Sequence, residues 1–290
     1  MATGPQDLLA RQNADGGWCY RQGGSWTEPT CYALLALAAS GFTESPAAVK
    51  GAAWLQRCQR TDGGLAPTAS VPESTWITAL PLLLPSPLAK ALNPERLIAW
   101  VLEQSGRESG WIFRLRLLLL GDSAADTPAY DGWPWYPGAA AWITPTAMSI
   151  LAMEKIAANK EVALAQDAQK RVNEARRFLL ARHCRDGGWN HGSTRALGYD
   201  SDSYPETTGT ALLALHGYKS KEVDRGLVRA EDQLAACQSY EAAQWLRLGL
   251  LAHGRKPRAP FIKNHGSTME IALGMLADAA ESGRNLLVAS

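Results

Sequence analysis

The chain repeats one turn, Asp-Gly-Gly followed by an apolar residue, at three places along its length. Two copies, at Asp15 and Asp186, continue with Trp, and the copy at Asp62 continues with Leu65. Glycine readily adopts the left-handed conformation that ends a helix and reverses the chain. The residue after the glycines would then fill the wedge between neighbouring hairpins. Because the same turn reverses the chain between similar segments, we expect a repetitive fold of helical hairpins.

Two kinds of helical segment alternate between these turns. Segments such as 26–41 and 204–217 consist largely of Ala and Leu with almost no charge, and each begins near the Thr, Pro and Glu that are common at helix N-termini. Segments 46–60 and 164–184 are amphipathic, with Lys and Arg on one side. A helix that is apolar all round is buried, whereas a helix with a charged face is peripheral. The pattern therefore predicts two concentric layers, with the uncharged helices inside.

About twelve helices are expected, and no strand-like alternation of useful length is present. Two segments, one late in each half of the chain, resemble each other: 111–122 and 245–254. We therefore expect an all-α fold, an α/α toroid of about six helical hairpins, formed as a single domain by residues 1–290. The predicted helices lie near residues 5–13, 28–40, 47–59, 74–84, 94–104, 111–120, 142–157, 164–183, 206–217, 224–237, 240–253 and 267–281.

Composition excludes several classes of function. The formal net charge of +1 provides no global field to recruit nucleic acid or an anionic membrane. The five scattered Cys contain no Cys-x-x-Cys pair, so neither a zinc knuckle nor a disulfide framework is expected. The first residues lack the pattern of a signal peptide, and no apolar run is long enough to span a bilayer. The expectation is a cytoplasmic protein with no metal and no cofactor.

A longer repeat surrounds the turns and places an aromatic residue, Gln and Gly at fixed spacing before the final Trp or Leu. Its copies run over residues 50–65, over 175–189 with His183 in place of Gln, and partly over 8–18. This spacing resembles the QW motif of the prenyltransferase and squalene oxidase repeat superfamily, to which squalene–hopene cyclase and protein prenyltransferase β subunits belong. The resemblance covers most of the chain and implies the α/α toroid, but it does not specify a reaction.

The resemblance implies two chemistries, of which the first is zinc-dependent prenyl transfer. Prenyltransferase β subunits hold zinc through an Asp-x-Cys pair and a later His that precedes a Thr-Cys-Tyr helix start. Here Pro29 stands in the place of that His, and no Asp-x-Cys sequence occurs. Prenyl transfer on zinc is therefore not expected, and Cys31 is interpreted as a small buried residue.

The second implied chemistry is class II terpene cyclisation. Those cyclases protonate an alkene or epoxide with the central acid of Asp-x-Asp-Asp, and such an acid must be buried and tuned by its neighbours. The nearest sequence here, Asp200-Ser201-Asp202-Ser203, lacks the fourth residue and lies upstream of the expected place. Asp202 is the candidate proton donor, with Asp200 beside it, and a turn or helix-capping role is the alternative.

In a toroid, the N-termini of the inner helices face one shared mouth. Glu28 and Glu206 come to equivalent places there and are candidate acids, with helix capping as the alternative. Aromatic residues at the same level would stabilise a carbocation or bind a flat ligand, unless they only pack the hairpin joints. Arg247, on an apolar helix, is a candidate for binding an anion, unless it extends to the rim. The candidate binding aromatics are Trp26, Tyr32, Trp76, Trp133, Trp135, Tyr136, Trp142, Tyr204 and Trp245.

Three functions stay open, and the first is favoured. It is a terpene cyclase-like, isoprenoid-binding protein that starts class II cyclisation by protonation and takes a hydrophobic small molecule. The second is a non-catalytic toroid that binds a lipid or a protein. The third is a carbohydrate-active toroid in which Glu28 and Glu206 form a carboxylate pair. Peripheral membrane contact and a second subunit both stay open, whereas nucleic acid is not expected as a partner.

Overall fold

A computed structural model describes residues 4–110, 130–159, 161–196, 199–258 and 260–289. These residues are mostly helical, which confirms the predicted all-α class. The α-helices are α1 (Pro5–Leu9), α2 (Thr27–Ala39), α3 (Pro46–Cys58), α4 (Ser86–Ala89), α5 (Pro94–Glu103), α6 (Ile143–Ala158), α7 (Ala165–Ala181), α8 (Pro205–Ala214), α9 (Lys221–Ala236), α10 (Tyr240–Ala252) and α11 (Thr268–Glu281). The other described elements are the 3-10 helices Trp76–Leu83 and Arg107–Ser109 and an antiparallel hairpin of β1 (Arg195–Ala196) and β2 (Tyr199–Asp200).

The inner layer is a closed ring. Its elements, taken from the described ranges, are α2, the 3-10 helix Trp76–Leu83, α6, α8, α10 and α11, and each packs against the next in that order. The ring closes because α11 packs against α2. The uncharged segments form this wall, as the sequence predicts: α8 is buried from Thr207 to Ala214, and the 3-10 helix is buried throughout.

The outer layer consists of amphipathic helices that lie against this ring. In α9 the buried positions Val223, Leu227, Ala230 and Leu234 recur every three or four residues, so one face packs inward and the charged face meets solvent. Helices α3, α5 and α7 take similar places. Between α10 and α11 the outer position is filled differently, since residues 255–258 and 260–267 form no helix.

The three Asp-Gly-Gly turns share one construction. The first glycine of each has a left-handed φ of 95° to 104°, and a side chain on Gly16 would also collide with the backbone of the next outer helix, 2.7 Å from the carbonyl oxygen of Lys50. Each Asp accepts a hydrogen bond from the amide of the second glycine and another from a serine hydroxyl ahead of the next inner helix. These serines are Ser25, Ser74 and Ser203.

Trp18 and Trp189, which follow two of these turns, are structural, and so is Trp133, which follows Gly132. All three are buried, and each donates its indole N–H to a backbone carbonyl near the end of the preceding outer helix, at 2.7–2.8 Å. Gln12 and Gln59 of the repeat bridge their turns to the start of the next outer helix. The repeated motif is therefore a set of joints between hairpins.

Some predicted elements differ from the observed ones. The segment predicted as a helix over 74–84 is a 3-10 helix, because Pro81 lies inside it and removes a helical N–H donor. The first helix ends at Leu9 rather than near residue 13, and the short β1–β2 hairpin was not predicted. The predicted helix at 111–120 lies outside the described residues. In the described part of the chain, no helix has the length and apolarity needed to cross a bilayer.

Candidate functional site

Side chains from three inner helices meet across the axis of the ring. Tyr32 of α2 donates its hydroxyl to the Met148 sulfur of α6 at 3.3 Å. The Tyr32 ring also contacts Trp245 of α10 edge to face, with centroids 5.7 Å apart. All three side chains are buried, and their helices are not neighbours in the ring. These contacts form a closed floor, which is where the structure places the predicted ligand residues Tyr32 and Trp245.

Four glutamates lie in the first turns of consecutive inner helices. Glu206, Glu241 and Glu28 are each the second residue of their helix, in α8, α10 and α2. Glu270 is the third residue of α11, which lies between α10 and α2 in the ring. The N-terminal end of a helix stabilises a negative charge, so this position suits a carboxylate. We refer to these four residues as the acid side of the mouth.

Glu241 is an acid whose pKa lies close to neutral pH. Burial, together with the negative charges of Glu28, Glu206 and Glu270, raises the pKa of Glu241 to about 7. Carboxylates that repel one another to this extent cannot all ionise easily at neutral pH. Glu241 is therefore partly protonated near pH 7.

Glu28 and Glu270 are each held by a hydrogen bond. The Tyr20 hydroxyl donates to Glu28 Oε2. Burial raises the pKa of Glu28, and the bond from Tyr20 only partly opposes this shift. Glu270 forms a capping box with Ser267: the Ser267 amide donates to Glu270 Oε2 at 2.9 Å, and the Glu270 amide donates to Ser267 Oγ at 3.1 Å. Within the described residues, the carboxylates of Glu206 and Glu241 have no such bond, so they are the two available for a ligand.

Five rings on the other side of the mouth form a continuous series of contacts. We call this series the aromatic arc. Successive centroids are 5.0–6.4 Å apart, and Trp142 and Tyr204 are 37% and 49% exposed. The arc ends at Tyr204, two residues before Glu206, so it leads to the acid side. Its members, in order, are Trp76, Trp135, Trp142, His191 and Tyr204.

Backbone hydrogen bonds between loops hold the arc in place. The Trp76 amide donates to the Trp135 carbonyl at 3.1 Å, and the Ile143 amide donates to the His191 carbonyl at 2.9 Å. A bridge between Pro134 and Ala141 closes the loop that carries Trp135. The ring faces are thus presented by the loops and first residues of the inner elements rather than by helix faces.

Other predicted binding residues lie outside the arc. Tyr136 is exposed beside it, and Trp26 is 39% exposed and contacts Tyr20 edge to face, with centroids 5.5 Å apart. Trp133 is buried, and the Arg171 guanidinium lies over its ring at 4.2 Å. Trp133 is thus occupied by packing contacts.

The predicted acids Asp200 and Asp202 are both exposed. Asp200 forms an ion pair with Arg185 at 3.0 Å. Exposure does not provide the burial that protonation of an alkene needs. Arg247 pairs with Asp278 at 3.0 Å and with Glu281 at 2.7 Å, so it links α10 to α11 rather than facing a ligand.

Sequence reasoning missed Glu241, Glu270 and His191. A signal was present for the two glutamates, because each follows a serine that caps an inner helix: Ser239 precedes Glu241 by two residues, and Ser267 precedes Glu270 by three. His191 gave no comparable signal, because it lies in a loop and joins the arc only through tertiary contacts.

Comparisons with known proteins agree with the fold. No protein-family model matches the chain, and no curated protein matches its sequence. A GH8 endo-β-1,4-glucanase from an Achatina fulica gut metagenomic library aligns over 97% of this chain and 97% of its own, with 15% identity and a TM-score of 0.64. A GH76 α-mannanase from Bacteroides thetaiotaomicron aligns over 97% and 95%, with 12% identity and a TM-score of 0.56.

The type II terpene cyclase MstE from Scytonema aligns over 96% of this chain and 80% of its own, with 18% identity and a TM-score of 0.49. That score is too low to support an argument. Identities in this range show the fold alone, and the fold is the predicted α/α toroid.

Proposed function

We propose that the mouth binds a saccharide on the aromatic arc and hydrolyses a glycosidic bond by general acid catalysis. The observation that supports this proposal is Glu241, a half-buried carboxyl whose pKa burial and three neighbouring carboxylates raise to about 7. A general acid is most effective when its pKa is close to the operating pH. Raising a glutamate pKa by burial is an established way to keep a proton available for a glycosidic oxygen.

Glu206 is the second carboxylate in this proposal. Glycoside hydrolysis needs one carboxylic acid to protonate the leaving oxygen and one carboxylate to act as nucleophile or to activate water. Glu241 would give its proton to that oxygen as the bond to the anomeric carbon breaks. Water would supply the new hydroxyl on that carbon, and its other proton would restore the acid. Glu206 suits the carboxylate role because it follows the last ring of the arc.

The aromatic arc and the closed floor suit a hydrated ligand. Partly exposed aromatic faces offer flat apolar surfaces on which the C–H faces of sugar rings stack. The Tyr32–Met148 contact keeps the site shallow, so water reaches the reacting carbon. The glucanase and mannanase compared above show that this fold accommodates such chemistry, but the proposal rests on the carboxylates and not on the fold.

A second candidate is protonation of an isoprenoid, and Glu28 favours it. Burial raises the pKa of Glu28 above that of a free glutamate, and this carboxyl lies beside the ring of Tyr20. Aromatic faces would stabilise the resulting carbocation. The closed floor and the exposed rings weigh against this reaction, because a carbocation needs a dry, enclosed cavity. A second subunit covering the mouth would be required.

The test is an assay of the purified full chain on soluble β-glucans, α-mannans and their oligosaccharides, with squalene and prenyl diphosphates in parallel. We expect new reducing ends from at least one saccharide. Glu241→Gln and Glu206→Gln should each lower that rate by roughly 10²-fold or more. Glu222→Gln, in the first turn of the outer helix α9, is the matched control and should have no effect.

Two outcomes would overturn the proposal. One is no release from any saccharide by protein with a native circular dichroism spectrum. The other is a rate that Glu241→Gln leaves unchanged. A cyclised isoprenoid product that disappears with Glu28→Gln would support the second candidate instead.

A further inference from the structure

The segment that replaces an outer helix between α10 and α11 is strongly basic. Residues 242–269 contain no Asp or Glu. We define the basic loop as residues 255–258 and 260–266. Its cations are exposed, and of these only Arg255 has an ion-pair partner within the described residues, Glu231 at 3.8 Å. The exposed cations of the loop are Arg255, Lys256, Arg258 and Lys263.

The basic loop also presents an aromatic side chain to solvent. Phe261 is 99% exposed, which is the highest value among the large hydrophobic residues of the described chain. The next residue, Ile262, is partly buried and packs against the core, so the loop is anchored beside Phe261. The Asn264 side chain is hydrogen-bonded to the Tyr240 hydroxyl, which holds the end of the loop against α10. Phe261 is therefore exposed on an anchored loop.

We propose that the basic loop binds the surface of an anionic lipid bilayer. Phe261 would insert at the boundary between headgroups and acyl chains, where aromatic rings are favoured. The four cations around it would contact anionic headgroups, and each basic residue near such a surface strengthens binding by about fivefold. This inference is independent of the proposed hydrolysis.

Charge complementarity alone would equally fit a soluble polyanion, but Phe261 favours the bilayer. A fully exposed phenyl ring gains nothing from a polyanion that carries no aromatic groups, whereas insertion removes its surface from water. Lipid binding should therefore depend on both the ring and the charges. Binding of such a polyanion would depend on the charges alone.

The experiment is sedimentation of the full chain with vesicles of phosphatidylcholine, either pure or mixed with phosphatidylserine. We expect binding to the mixed vesicles only, weakened by salt. Phe261→Ala should lower the partition coefficient about tenfold. The double variant Lys256→Gln/Arg258→Gln should lower it about 25-fold, at fivefold per charge. Tyr199→Ala, which removes a 79% exposed ring from β2, is the control and should bind normally.

The inference requires both the Phe261 ring and the cations of the basic loop, and it is overturned if either makes no contribution. Equal binding to neutral vesicles, or no binding at all, would remove the role of the charges. Normal binding by Phe261→Ala with loss in the double variant would indicate a purely electrostatic surface for a polyanion. Because the substitutions lie in an exposed loop outside the ring, circular dichroism should confirm that each variant is folded. Hydrolysis of a soluble saccharide should be unchanged in all of them.

Discussion

The two sides of the mouth are built by different means. On the acid side, the carboxylates come from the helices themselves, at the second residue of α2, α8 and α10. On the aromatic side, the rings come from loops and from residues at the starts of the inner elements, and Trp135 and His191 lie outside any helix. One residue per helix therefore determines the charge of the mouth, whereas its apolar surface depends on how three loops pack together.

The packing behind the two sides also differs. Helices α8 and α10 approach each other at Gly209 and Gly249, where a methyl group on Gly209 would lie 2.4 Å from the carbonyl carbon of Trp245. This close contact brings the first turns that carry Glu206 and Glu241 together. Between its loops, the aromatic side is held by single backbone hydrogen bonds such as the one from the Trp76 amide to the Trp135 carbonyl. We expect the acid side to tolerate substitutions less well than the aromatic side.

The largest effect should come from removing the proton donor. Glu241→Gln should lower kcat by roughly 10²- to 10⁴-fold and leave KM nearly unchanged, because the neutral amide keeps the shape of the side chain but cannot donate a proton to the leaving oxygen. Steady-state hydrolysis of the best saccharide substrate measures both constants. A rise in KM with normal kcat would assign Glu241 to binding and remove the distinction between the two sides.

The next largest effect should come from separating α8 from α10. Gly209→Ala forces a methyl group into the Trp245 backbone and should lower the free energy of unfolding by roughly 3 kcal/mol. Urea unfolding followed by circular dichroism measures this change. Gly24→Ala is the control, because no atom lies within 4 Å of the added methyl group. Equal stability of the two variants would contradict the close contact.

A smaller effect is expected on the aromatic side. Trp142→Ala should raise KM about tenfold with little change in kcat, because it removes a stacking face but no reacting group. Trp26→Ala is a matched control. Both residues are N-caps of inner helices, and Trp142 is 37% exposed and Trp26 39%, but Trp26 lies outside the arc. Equal losses in the two variants would show that the arc is not the binding surface.

The smallest effect is a shift in pH dependence. Activity should be present while Glu241 is protonated and should be lost as the pH rises through its pKa of about 7. Glu28→Gln removes a neighbouring negative charge, so ionised Glu241 is repelled less, its pKa falls, and the alkaline limb moves to lower pH. The pH profile of kcat/KM measures this limb. A limb that stays in place would show that Glu28 does not influence the acid.

The sequence predicts the ring better than it predicts the mouth. Local patterns are enough for the ring, because the uncharged Ala and Leu segments must be buried and glycine must reverse the chain. Glu28 and Glu206 could be paired from their equivalent helix starts. Glu241 gives no such pairing, because its helix resembles 111–122 only from Trp245 onward. A wholly apolar helix also gives no periodicity to indicate which of its sides faces the axis.

The same limit explains the aromatic predictions. Trp133 and Trp142 come from one Trp-rich stretch, yet the first donates to a helix end while the second lies in the arc. Only tertiary contacts separate these roles. The 3-10 helix shows the reverse case: the structure differs from the helix predicted over 74–84, although the cause, Pro81, is a local feature of the sequence.

The floor formed by Tyr32, Met148 and Trp245 closes the centre of the toroid, so the mouth is open on one side only. In the proposed hydrolysis, a long polymer could not thread through the ring and would lie across the opening with both of its ends free in solution. Bonds in the middle of that polymer would then be as accessible as bonds near its ends. The products would leave through the opening by which the substrate enters.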